Sequence, residues 1–353
     1  MVKNVKIGSY SVGDGQPCFI IAEAGVNHNG DIAIAERLID EAARAGANAV
    51  KFQAFITEEL ITAEAPKANY QVETTGQPGS QYGMLKALEL TAEQHAHLKA
   101  YCEQAGVMYL CTPYDHGSAD MLARIGVQAY KIASTDTSNI PFLRYLGAKG
   151  IPVILSTGMS TLGEVEEAVA ALETGGVDGS IVILQCTSEY PAPVDEVNLR
   201  SIATLRQAFG YPVGFSDHTQ GTAVSAWAVA LGACMIEKHF TLDRTMPGPD
   251  HRASIEPDEL RQLVEAVRSL ERALGDGVKR PSPSEQGNKA FMQKSLVVRR
   301  DIPQGAVISA DDLTCKRPAT GLPPRDFDRV VGRKAAKALA SGHILTLADV
   351  EWN

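Results

Sequence analysis

The chain reads as an α/β protein: a (β/α)8 TIM barrel followed by a small β-rich module. Three observations lead there. Short apolar, β-branched runs alternate with helix-like segments over most of the 353 residues, as in a parallel sheet covered by helices. Eight such runs occur, the number that closes a barrel of ~250 residues. Beyond residue 275 the composition turns to Gly, Pro and Ser and the alternation stops. The expected division is a barrel over 1–275, a linker over 276–294 and a module over 295–353.

The runs fall at 18–23, 49–53, 107–112, 129–134, 152–157, 181–187, 212–216 and 235–240. Between them, Asp31 is placed to cap an amphipathic stretch ending at Gly46. Thr161 opens T-L-G-E, a capping box ahead of the apolar positions 165–172. Residues 256–274 supply the last and longest helix. One connection departs from the pattern: residues 54–88 are polar and rich in Gly, Pro and Gln, and so long a loop after a barrel strand reads as a lid.

Past the linker, D-I-P-Q-G-A-V-I-S-A-D-D-L from Asp301 and A-L-A-S-G-H-I-L-T-L-A-D-V from Ala338 form a degenerate repeat. Gly305 aligns with Gly342 and Asp312 with Asp349. Each copy reads as strand, glycine turn, strand. A module this small is marginal alone and is expected to pack on something.

A net charge of -9 argues against a sequence-independent nucleic-acid binder, so any anionic ligand must meet a local basic pocket. The six cysteines include no C-x-x-C pair, which leaves neither a zinc knuckle nor a disulfide framework. Residues 1–16 lack the apolar core of a secretion signal, and the longest apolar run, 224–236, is short of the ~20 residues of a bilayer span. The expectation is a cytoplasmic enzyme without membrane or nucleic-acid partners.

Side chains alternate along a strand, so parity tests which polar residues point together into a barrel. Glu23, Lys51, Gln53, Ser216, His218, Glu237 and His239 all have the parity to converge at the carboxyl ends of their strands. A lone strand-end lysine is ordinarily a solvated cap and a lone histidine a hydrogen-bonded one. Polar residues closing so many buried strands carry a desolvation cost that only a site explains. His218 and His239 end adjacent strands, where two imidazoles suit Mn, Fe, Co or Zn with positions left for water or substrate. Asp217, of opposite parity, reads as a supporting partner or turn residue. Lys51 and Lys131, with hydroxyls at Thr112, Ser134, Ser156 and Ser216, suit a phosphate or carboxylate. An imine-forming Lys51 or Lys131 is the rival chemistry, separable by borohydride trapping.

A-E-A-G-V-N-H-N-G-D at 22–31, V-K-F-Q at 50–53, S-T-G-M at 156–159, G-F-S-D-H-T at 214–219, E-K-H-F-T-L-D at 237–243 and P-G-P-D-H at 247–251 together resemble the sialic acid synthase family. The likeness runs the length of the chain, and K-R-P at 316–318 resembles that family's antifreeze-like (SAF) domain. It implies a condensation of phosphoenolpyruvate with an open-chain N-acylated mannosamine, giving a nine-carbon 2-keto sugar acid and phosphate. It further implies a divalent metal on His218 and His239, Mn2+ first and Mg2+ or Co2+ as alternatives. Lys51, Thr112, Lys131, Ser134, Ser156 and Ser216 would hold phosphoenolpyruvate, and Glu23 would act as acid or base. Gln53, Asp136, Tyr190 and Asp250 would line the sugar side. Arg317 would reach the N-acyl group from the partner subunit of a domain-swapped homodimer.

Departures touch the sugar side. Ser188 stands where many relatives have Asn, Asp136 replaces a longer Glu, and Ala319 replaces a Gly. N-acetylmannosamine is the first expectation for the sugar, with 2,4-diacetamido-2,4,6-trideoxymannose, the legionaminic acid precursor, as the alternative. Residues 65–71 resemble members using one or the other. A synthase of seven- or eight-carbon keto acids would lack the appended module, and a non-catalytic carbohydrate- or ice-binding barrel would have no reason to gather Lys51, Lys131, His218 and His239.

Overall fold

The computed structural model describes residues 3–67, 80–177 and 179–352, so the substrate-class segment 65–71 and the lid segment lie partly outside the described residues. The chain divides into two compact units, Met1–Gly275 and Asp276–Asn353.

The first unit opens on an antiparallel hairpin, β1 (Val5–Ile7) and β2 (Tyr10–Val12). Eight parallel strands follow and close a barrel: β3 (Phe19–Gly25), β4 (Ala49–Ala54), β5 (Met108–Pro113), β6 (Tyr130–Ile132), β7 (Val153–Ser156), β8 (Ile181–Cys186), β9 (Val213–Asp217) and β10 (Met235–His239), with β10 returning to pair with β3. Every one of the eight predicted runs became a strand. Buried on both faces, such strands read as continuous apolar runs. Outward residues such as Ile20, Val50, Phe52 and Phe215 pack with the helices, while Ile21, Leu110, Ile154 and Leu184 fill the interior. Val5, Ile7 and Val12 of the hairpin join that interior layer and close the amino-terminal end of the barrel. The hairpin was not foreseen, because three-residue strands carry no readable period.

Helices Ile32–Ala45 and Leu162–Gly175 start where expected. Asp31 accepts from the Ala33 N–H, and Thr161 and Glu164 exchange both bonds of a capping box. Gly46 ends the first of them in the left-handed region. Pro257–Leu274 is the long final helix, with Glu256 at its amino-terminal cap. Within the long connection, helices Thr57–Leu60 and Gln81–Lys86 bring Leu60, Met84 and Leu85 against Val26, Phe55 and Leu88. What is described of this connection is therefore packed, not structureless.

In the second unit, β11 (Ser295–Val298) pairs with β12 (Leu313–Lys316). The repeat takes a more irregular form than strand, turn, strand: isolated bridges join Ile302 to Leu339 and Val307 to Lys334. Its symmetry lies in the turns. Gly305 and Gly342 are both left-handed, and Asp312 and Asp349 close matching capping boxes with Ser309 and Thr346. The segment expected to be linker carries a helix, Pro283–Met292, begun by a Ser282–Glu285 capping box. The Ser-Pro run that suggested a linker is thus a helix start.

Candidate active site

Strand register assembles the site. Glu23 on β3 lies beside His239 of β10 on one side and Lys51 of β4 on the other; Gln53 pairs with Thr112, and Glu237 with Ser216. These residues line a cavity of about 570 Å3 at the carboxyl ends of the strands. Lys131, Ser134, Ser156, His218, Tyr190 and Asp250 line it too. Of the residues singled out from the sequence, Asp136 does not reach the lining. It sits in a short 3-10 turn, Ser134–Asp136, where its carboxylate accepts from the Asn139 amide at 3.0 Å and Thr135 faces the cavity instead. Arg317 lies on the loop after β12 in the second unit.

At the floor two lysines alternate with two carboxylates. The Lys51 ammonium is 2.7 Å from Glu23 and 3.8 Å from Glu237, and donates to Thr112 Oγ1 at 3.0 Å. Lys131 lies 3.3 Å from Glu237, which also accepts from Ser216 Oγ at 2.9 Å. The two carboxylates fare differently. Burial opposes ionisation of Glu237, but Lys131, Lys51 and the Ser216 hydroxyl outweigh it and hold the group down to about 2. Burial pushes Glu23 up to about 7, the pull of Lys51 being partly cancelled by Glu237. Lys51 is raised because its carboxylate neighbours overcome its burial, whereas burial lowers Lys131. At neutral pH the floor thus sets two lysines against one ionised carboxylate, Glu237, and one carboxyl, Glu23, that burial keeps partly protonated.

Beside it stands the histidine pair. The rings of His218 and His239 are 5.3 Å apart between centroids, with Tyr190 packed on both. His218 Nδ1 donates to the Thr187 carbonyl at 2.7 Å, so in the neutral ring the lone pair lies on Nε2; against its burial, Cys186 and that carbonyl raise the ring's affinity for a proton, which a cation would have to displace. His239 Nδ1 is buried with no hydrogen-bond partner, and burial keeps the ring neutral, as metal ligation requires. Among the described residues no group of three or more His, Cys, Asp or Glu is arranged to hold a metal ion. His218 and His239 supply two nitrogen donors on one cavity wall, and a cation there would take its remaining positions from water or substrate.

Two buried hydroxyls, Ser156 Oγ and Ser188 Oγ, also have no hydrogen-bond partner. Gly158, two residues after Ser156, donates its N–H to Ser134 Oγ at 2.9 Å, and a Cβ there would come within 2.2 Å of Ser188 Oγ. Only glycine leaves that corner open. Parity could not find Ser188, Thr135 or the apolar wall of Val26, Phe55, Leu60 and Met84, since these lie on loops and short helices beyond the strand ends. Glu237 was placed at the mouth by parity yet given no role.

The sequence model of the NeuB family matches residues 38–279, and that of the SAF domain residues 293–351. The chain belongs to the NeuB family. It is 46% identical over 319 residues to the N,N'-diacetyllegionaminic acid synthase of Campylobacter jejuni, covering 90% of this chain and 96% of that one. To the enzyme of the same name from Legionella pneumophila it is 42% identical over 342 residues, covering 96% of each. Among solved structures, the N-acetylneuraminic acid synthetase of Leptospira borgpetersenii matches 82% of this chain and 95% of its own at 37% identity, with a TM-score of 0.72. The barrel with its SAF domain is thus the architecture of a family of sialic-acid-type synthases. Among the described residues no helix is long and apolar enough to cross a membrane.

Proposed function

We propose that the chain condenses phosphoenolpyruvate with an open-chain N-acylated amino sugar and water, giving a nine-carbon 2-keto sugar acid and phosphate. The observation that carries this reading is the pair Lys51 and Lys131 straddling Glu237 in the same cavity as His218 and His239. The lysines, with Thr112, Ser134, Ser156 and Ser216 around them, bind phosphate and carboxylate oxygens through charge-assisted hydrogen bonds. Lys51 and Lys131 against Glu237 leave one excess positive charge only when Glu23 carries its proton, which does not balance phosphoenolpyruvate, so a divalent cation, Mn2+ first, completes the match.

When bound to His218 and His239, that cation supplies Lewis-acid polarisation of the sugar carbonyl. Lys51 and Lys131 orient phosphoenolpyruvate so that its C3 faces the aldehyde carbon. As the C3–C1 bond forms, Glu23 gives its proton to the aldehyde oxygen, the role suited to a carboxylic acid raised towards neutrality. Water then adds at C2, giving one proton back to the Glu23 carboxylate, and the C2–O bond to phosphate breaks as the C2 hydroxyl becomes the ketone and its proton leaves with the phosphate. Gln53, Tyr190 and Asp250 face the sugar. Arg317 of a second copy reaches the N-acyl group in a domain-swapped homodimer.

For the sugar, the two legionaminic relatives support 2,4-diacetamido-2,4,6-trideoxymannose ahead of N-acetylmannosamine, reversing the order taken from sequence motifs. Phosphate release from phosphoenolpyruvate with Mn2+, run across both sugars and with chelator, tests the reading. Release with the diacetamido sugar, abolished by chelator, is expected. No release with any N-acyl sugar, or release indifferent to chelator, overturns it.

A further inference from the structure

Lys238 is a buried charge that the chemistry above does not use. Its neighbours Glu237 and His239 line the cavity, so alternation sends Lys238 to the other face of β10, into the layer between barrel and helices. There it is 1% exposed and its ammonium lies 3.0 Å from Asp217, itself 0% exposed and its register partner on β9. An apolar pair of similar volume would serve this layer at least as well, since burying two charges is rarely a net gain.

What the pair holds is more specific. Asp217 immediately precedes His218, and Lys238 immediately precedes His239. One oxygen of Asp217 accepts from Thr219 N at 2.8 Å and Thr219 Oγ1 at 2.7 Å. The other accepts from Ser225 Oγ, on the helix Ala223–Ala230, at 2.5 Å. Lys238 in turn donates to the Thr219 carbonyl. The residues on both sides of His218 are therefore tied to the residue preceding His239. On the cavity side, the His218 carbonyl accepts from Ala192 N at 2.9 Å, leaving its backbone little freedom to shift.

We infer that the buried Lys238–Asp217 pair is a positioning clamp that fixes the separation of His218 and His239 and thereby sets the affinity of the site for its divalent cation. The inference rests on the reading of those two histidines as the cation seat. Supporting groups behind metal ligands carry about 10- to 100-fold in affinity.

Titration of the full-length chain with Mn2+, followed by the electron spin resonance of the free ion, tests it without recourse to turnover. Asp217→Asn and Lys238→Met are each expected to weaken Mn2+ binding about 10- to 100-fold. The double variant Asp217→Asn/Lys238→Met leaves no buried charge, keeps an acceptor for Thr219, and is expected to stay folded while still binding Mn2+ weakly. If the double variant is folded and binds Mn2+ as tightly as the parent, the pair is structural filling and the clamp is overturned while the seat stands. Should the parent fail to bind Mn2+, or His218→Ala and His239→Ala bind it as tightly as the parent, the seat itself falls and the clamp with it.

Discussion

The carboxyl group of Glu23 lies 2.7 Å from the ammonium of Lys51, its register partner on the next strand, yet burial still raises it to about 7. It therefore carries a proton over part of the physiological range. As a general acid it must be protonated to act, so kcat/KM, which reports the free enzyme, is expected to fall as pH rises through about 7. Glu23→Gln should lower kcat about 100- to 10,000-fold and remove that limb from the profile. A limb that persists unchanged in the variant would reassign it to another group.

Lys131 is the cation whose loss should be felt first in the binding of phosphoenolpyruvate. It faces Glu237, which keeps Lys51 and Ser216 as partners when Lys131 is removed. Lys131→Met is expected to raise KM for phosphoenolpyruvate about 10- to 100-fold, the worth of one hydrogen bond to a charged group. KM for the sugar should hardly move. Initial rates with each substrate varied in turn separate the two.

Removing either member of the histidine pair should cost activity far more than stability. His218 and His239 sit at strand ends in the cavity wall, outside the packed apolar layers. His218→Ala and His239→Ala are expected to lower phosphate release by more than about 100-fold, beyond the effect of supporting groups, with melting temperatures within a few degrees of the parent. A large fall in melting temperature would make the pair structural.

What was legible in the sequence follows from where regular geometry reaches. Glu23, Lys51, Ser216, Glu237 and His239 are on strands, and a period of two fixes the direction of each side chain before any contact is known. Asp136, named from the family resemblance and not from parity, lies in a 3-10 turn just past β6, where a local amide captures its carboxylate and Thr135 faces the cavity. Val26, Phe55 and Leu60 came to the mouth through the packing of a long connection, which no local pattern encodes. Lys238 drew no reading from the sequence, since alternation only turns it away from the cavity and does not say that helices rather than water meet it there. The hairpin β1–β2 plugs the barrel with three apolar residues, too few to stand out from a polar terminus.

A second pair of buried histidines, His28 and His95, bears on stability. Burial lowers both His28 and His95 to about 4, and His95 Nδ1 meets the Tyr109 hydroxyl at 2.7 Å. Between pH 6.5 and 4 the unfolded chain binds protons that the folded one refuses, so each histidine makes stability fall as pH falls. Glu23 and Asp250, both raised by burial, act in the opposite direction over neighbouring ranges, and the net slope is therefore not diagnostic. A difference is. Gln at position 95 keeps a polar partner for Tyr109 without titrating, so His95→Gln should lose less stability than the parent over that window, by on the order of 3 kcal/mol. Urea midpoints of both proteins at pH 7 and pH 4.5 measure it; parallel shifts would place the His95 ring in contact with water.

The assignment of Arg317 to the partner's sugar site has a test by complementation. Arg317→Ala alone should raise KM for the sugar and leave KM for phosphoenolpyruvate in place, but that result does not say which subunit supplies the arginine. Mixing does. In a symmetric dimer whose arginine acts across the subunits, a heterodimer of Arg317→Ala and His218→Ala chains contains one site with both defects and one with neither. Equal coexpression makes half of the dimers mixed, so at a sugar concentration well below the KM of Arg317→Ala, where each variant alone turns over little, about a quarter of the parent activity should return. If Arg317 served its own barrel, both sites of every mixed dimer would carry one defect and no activity would return. Recovery would therefore assign the arginine to the partner subunit, and its absence in verified heterodimers would exclude the swap.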